Sequence, residues 1–177
     1  MRIKEKIGWN TKWQIDKWHD PTGTVEELSK DGLTIDDLII LYPGNLIDSQ
    51  VFLGNVALNE GLQQLIDIIC GITTPTLWNN GNARVGVGTS NTAANASQTG
   101  LLGTTAFASM DGGYPQRSGQ VASWKGTFGD GVAEFAWEEF TVDNGAAGDV
   151  NLNRYVTSKG TKGSGETWVL TVQITFS

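Results

Sequence analysis

Few side chains in this chain belong to the types that do covalent chemistry. Its 177 residues include a single histidine and a single cysteine. His19 sits beside Asp20 and Pro21, and no Ser or Cys nucleophile stands in a pattern that would use it as a base. Cys70 closes an apolar-periodic segment and reads as a small buried hydrophobe. One His and one Cys do not make a zinc set. Asp143 to Asp149 (DNGAAGD) is at most a loose calcium loop, without the alternating ligands and terminal Glu of an EF-hand. The stretch Val85 to Thr92 (VGVGTSNT) has Gly-x-Gly but neither a third glycine nor a Lys-Ser/Thr pair, so it is not a nucleotide fingerprint. No cofactor, no metal and no enzymatic activity are assigned.

Carboxylates are paired at Asp36/Asp37 and Glu138/Glu139. Neighbours on a strand point to opposite faces, so neither pair forms an acid/base couple by itself. With Phe135, Trp137 and Glu139 on one inward face, Glu139 becomes a buried carboxylate that needs a partner. Arg154, in the segment NLNRYV, is the expected one. A structural ion pair Glu139–Arg154 is therefore expected, and removing one member would strand the other charge.

The elements that position these groups follow from hydrophobic period. The segment 58–70 (LNEGLQQLIDIIC) places Leu58, Leu62, Leu65, Ile66 and Ile69 on one stripe and predicts an amphipathic helix. Asn59 is a suitable cap, Gly71 a suitable stop, and Gly61 implies a close neighbour. The run IDDLII after Thr34 fits a short helix or a buried strand. Beyond residue 83 the period becomes two. Strands are predicted at 83–87, 104–110, 120–128, 134–142, 151–157 and 167–176, separated by Asp/Asn/Gly-rich turns. The last is the clearest, with Trp168, Leu170, Val172, Ile174 and Phe176 on one face. The expected fold is mainly β, an antiparallel β-sandwich or jelly-roll-like domain over residues 34–177 with helix 58–70.

Residues 1–33 read as an extended N-terminal arm. They contain Trp9, Trp13 and Trp18 in a spacing that sustains no helical stripe, interrupted by Gly8, Pro21 and Gly23. Half of the chain's 12 bases lie in its first 30 residues, whereas 31–83 has none and carries six acids. Tryptophan is enriched where interfaces bury large apolar area. Trp9, Trp13 and Trp18, with Lys4, Lys6, Lys12 and Lys17, are thus the candidate attachment interface. Deleting Met1 to Lys30 is expected to leave the β-domain folded. The net charge of −7 argues against nucleic-acid binding, and no apolar run is long enough to span a membrane.

Three stretches carry a resemblance: GVGTSNTAANASQTGL, TFGDGVAEFAWEE and the closing LNR…GTK…TWVLTVQITFS. Over roughly residues 44–177 the chain resembles a group of small virion structural proteins of tailed bacteriophages. The resemblance implies a particle component without enzymatic activity, folded in the host cytoplasm and located in the virion. From it we expect a capsid decoration or auxiliary subunit, homo-oligomeric, bound to the major capsid protein or other virion proteins. The alternative is a tail-fibre, tail-tip or adaptor module that stacks host-surface glycans on exposed tryptophans. A cell-wall hydrolase acting through Glu138 or Glu139 is the third reading.

Overall fold

A computed structural model describes residues 8–72, 74–145 and 149–177. The elements run β1 (Trp9–His19), α1 (Thr24–Lys30), α2 (Ile35–Leu41), β2 (Leu46–Leu53), β3 (Val56–Ala57), α3 (Asn59–Cys70), β4 (Arg84–Gly88) and β5 (Thr105–Ser109). They continue with β6 (Gln116–Ser118), β7 (Val121–Phe128), β8 (Glu139–Asp143), β9 (Asn153–Val156) and β10 (Glu166–Phe176). Two five-stranded antiparallel sheets form, β2-β1-β10-β7-β6 and β3-β9-β8-β4-β5. The chain is mainly β, as its alternating segments predict.

Between the sheets lies an aromatic core. Inward residues of β7 (Trp124, Phe128) and β10 (Trp168, Leu170, Val172, Ile174) meet Val85, Val87 and Phe140 of the facing sheet. Trp137 fills the centre, edge-on to Phe128 and Trp168 at 4.9 and 4.7 Å between ring centroids. Its indole N–H donates to the Ala133 carbonyl. Burying a side chain of this size stabilises by about 1.5–3 kcal/mol before entropy is counted. The predicted strand 134–142 is shorter than expected: regular pairing spans only Glu139–Asp143, and Trp137 precedes it.

Residues 8–33 are not an arm. Residues Trp9 to His19 form β1, which pairs along its whole length with β10, from Trp9↔Phe176 to His19↔Glu166, and with β2 on its other side. The reason is a period of two that polar residues disguise. Trp13 and Ile15 face the sandwich core, while Gln14, Asp16 and Trp18 face outward. From Asp16 to Trp18 both faces are buried, because α1 and α2 lie over the outer face. Asp20 opens α1 by accepting from the backbone N–H groups of Val25 and Glu26. The run after Thr34 resolves as helix, closed by a capping box between Thr34 and Asp37.

Helix α3 also departs from expectation. Leu58, not Asn59, is its N-cap residue, and no side chain caps it. Gly61 is its one buried residue, pressed so close that an added Cβ would lie 2.6 Å from the Asn151 carbonyl oxygen.

Candidate functional site

The residues proposed as an attachment interface are mostly inside the protein. Trp13 and Trp18 are fully buried, and Trp9 is half-buried against Phe176. Trp13 lies nearly parallel to Phe52 and Tyr155, and its N–H donates to the Gly54 carbonyl. Trp18 packs with Val25, Leu38 and Val169 beneath the two short helices. Lys17 is buried, donating to the Lys159 carbonyl at 2.8 Å and lying 4.3 Å above the Trp168 ring. Only Lys12 is exposed among those described, and Lys4 and Lys6 lie outside the described residues. All seven tryptophans are buried or half-buried, which removes the exposed stacking platform that the glycan reading relied on.

Glu139 and Arg154 do meet. Both side chains are fully buried, and Arg154 Nε donates to Glu139 Oε2 at 2.8 Å, with Nη2 2.7 Å from the same oxygen. The carboxylate also accepts from the backbone N–H groups of Ser90, Leu102 and Gly103. Arg154 Nη1 reaches back to the Thr92 carbonyl and to Gln98 Oε1. One ion pair thus ties down both ends and the middle of the polar loop 89–104. Gly88 belongs to this arrangement, since a Cβ there would stand 2.5 Å from Glu139 Oε1. Glu138 turns the other way and accepts from the Ser158 hydroxyl. With its lone pairs occupied by four donors, three backbone N–H groups and Arg154 Nε, Glu139 is built as a structural anchor.

The bracketing acids of the loose calcium loop are also engaged. Arg84 grips Asp143 with Nε and Nη2, at 3.0 and 2.6 Å, and contacts Asp149 at 2.6 Å. Residues 146–148 between them lie outside the described residues.

Two features escaped the sequence reading. The first is the apolar face of α3. The helix is attached along Leu58, Gly61 and half-buried Leu65, with Glu60 accepting from the Asn151 N–H and Gln64 donating to the Thr76 carbonyl. The neighbouring stripe stands in solvent: Ile66 is 56% exposed and Ile69 83%, continued by Ile72 at 67%. Leu62, Ile68 and Leu77 are exposed as well, and Cys70 is exposed rather than buried. The apolar arc of this helix is wider than the arc the domain covers, and nothing in its spacing distinguishes the two. Exposed contiguous apolar surface of this kind marks interaction sites.

The second is a buried polar network on the outer face of the first sheet. Asp111 accepts from Thr127 Oγ1 at 2.8 Å and from Ser29 Oγ at 3.3 Å, and lies 3.5 Å from Lys125 Nζ. Lys125 also donates to the carbonyls of Leu33 and Ser29, covering the C-terminal end of α1. Asp16, nearby on β1, accepts from Ser49 Oγ at 2.6 Å and from the Gln14 amide at 3.0 Å. Burial pushes both carboxyls above their ordinary range and the Lys125 ammonium below its own. Tyr114, against the same network, is pushed up by burial and by Asp111. The outward polar ladder Ser123-Lys125-Thr127 is visible in the sequence as an exposed strand face, and only docking of α1 and α2 turns it into an interior.

No protein-family model, curated protein or solved structure matches the chain.

Proposed function

We propose that this protein is a structural subunit of a bacteriophage particle, a capsid decoration or auxiliary protein that binds the shell without catalysing a reaction. The reading begins from the resemblance of residues 44–177 and is supported by one observation above the others, the unburied stripe Leu62, Ile66, Ile69 and Ile72. A subunit that attaches to a shell needs a rigid body and a hydrophobic contact whose centre is free of charge. The two-sheet core supplies the first and α3 the second. Attachment therefore moves from the N-terminal segment, whose residues 9–33 belong to the fold, to α3.

Cys70 makes the reading directly testable, because the chain's one thiol is exposed at the end of α3. In the free protein a maleimide should react with it quickly; on assembled particles the same thiol should be protected. Electron microscopy of particles carrying tagged protein should show a regular lattice over the head. Signal confined to one pole, or Cys70 equally reactive in both states, would overturn the assignment. Ile69→Ser should change stability by no more than about 0.5 kcal/mol, as an exposed substitution does, while weakening particle binding.

A further inference from the structure

The outer face of the first sheet holds a cleft of about 180 Å³ beneath α2. Gln14 and Asp16 of β1, Thr171 and Gln173 of β10 and Lys125 of β7 line it on the sheet side. Trp18, on the same outward face of β1, Leu38 of α2 and Tyr114 complete the lining. At a water's share of roughly 30 Å³ this is room for about six waters, which one pyranose ring fills and a disaccharide exceeds.

The surrounding charges select the ligand class. An anion is disfavoured, because Asp16 faces the cleft and the Lys125 ammonium is already committed to two carbonyls and Asp111. A second cation is disfavoured by that same ammonium. What is left open is neutral and mixed in sign. Asp16 and the Gln14 side-chain carbonyl accept. Thr171 and Tyr114 offer hydroxyls, and Gln173 offers its side-chain amide. Leu38 and the Tyr114 ring supply apolar surface beside these groups. Hydroxyls donating and accepting from one side, with a C–H face on the other, are the signature of a sugar ring. We propose that this cleft binds a single neutral pyranose residue, with Asp16, Thr171 and Gln173 as its hydrogen-bonding partners.

The proposal is independent of shell attachment, since the cleft and α3 are separate surfaces built on different sheets. Amide-resolved NMR of the full chain tests it, with the Trp18 indole resonance as the reporter. The probes are methyl glycosides of the common hexoses and N-acetylhexosamines, standing for a glycan's terminal residue, and the corresponding free reducing sugars. At least one should give saturable millimolar shifts at the Trp18 indole and at the amides of Thr171 and Gln173. Thr171→Val preserves strand propensity and shape, and should weaken that binding about tenfold without loss of fold. Asp16→Asn should weaken it as well. Response to free sugars but not to glycosides would place the ligand in solution rather than on a glycan, with the site intact. Absence of saturable shifts with every sugar, unchanged affinity in Thr171→Val, or saturation by methylammonium or acetate instead would overturn it.

Discussion

The two sheets each bury a charge cluster, and the clusters are built on opposite principles. In the sheet carrying β8 and β9, one carboxylate meets one guanidinium. Glu139 and Arg154 are both fully buried, and backbone groups occupy most of what remains of their hydrogen-bonding capacity. In the sheet carrying β1 and β7, two buried carboxylates, Asp16 and Asp111, share the neighbourhood of one ammonium, Lys125. That ammonium is spent largely on the carbonyls of Ser29 and Leu33. Among the described residues no cation lies within pairing distance of Asp16. A balanced cluster saturated with donors serves the fold. An unbalanced one beside a cleft costs stability, which is the arrangement found where a ligand completes the set.

The contrast can be broken at its root. Deleting residues 1–30 removes β1, with Asp16, and α1 together. Because β1 lies between β2 and β10, the expected result is loss of cooperative unfolding, read by calorimetry or denaturant titration. A truncated chain that still unfolds in one sharp transition would return the segment to the status of an arm.

Next in size is Arg154→Met. It strands a buried carboxylate and should cost about 3–5 kcal/mol. The loop 89–104 should lose amide protection along with it. Little loss of stability there would mean that the three backbone N–H groups suffice for Glu139.

Asp111→Asn should cost less, about 1–3 kcal/mol. Lys125 keeps its two carbonyl acceptors, and burial already favours release of its proton. A penalty equal to that of Arg154→Met would erase the distinction between the clusters.

The smallest effect is the one whose sign is most telling. The folded-state carboxyl of Asp16 lies above its ordinary 3.8. The folded state therefore binds more protons than the unfolded chain in the window just above that value. Stability contributed by the protonated form is lost as pH rises through this window. Asp16→Asn should accordingly be more stable than the parent at neutral pH, and the advantage should shrink as pH falls through this window and be gone below the ordinary carboxylate range. A difference independent of pH would show that hydrogen bonds from Ser49 and Gln14 offset the burial.

How much of this was legible beforehand varies with local environment. Strands β7 and β10 are plain because one face packs on the core while the other stays polar, so alternation survives in the residue types. In β1 it is disguised: Asp16 and Lys17 are polar yet buried, and Trp18 packs outward under α1 and α2. Helix α1 was hidden by Pro21 and Gly23, which read as breakers although they stand before its first turn. The Glu139–Arg154 contact was readable because a carboxylate in phase with inward aromatics requires a partner, and few bases were placed to supply one. The Asp16–Lys125–Asp111 network was not, because no period announces that two short helices will cover a strand's outer face.

The sequence by itself determined the class of fold, most of the β segments after residue 83, and helix 58–70, since period and turn residues act over a few neighbours. It also determined that a buried Glu139 needed a counter-charge. Only the tertiary structure decided that the tryptophan-bearing N-terminal strand is interior while the apolar stripe of α3 is surface. Amphipathicity reports that a face avoids water, not which body will cover it. That choice depends on contacts between residues far apart in the chain, such as Trp13 with Tyr155 and Gly61 with Asn151.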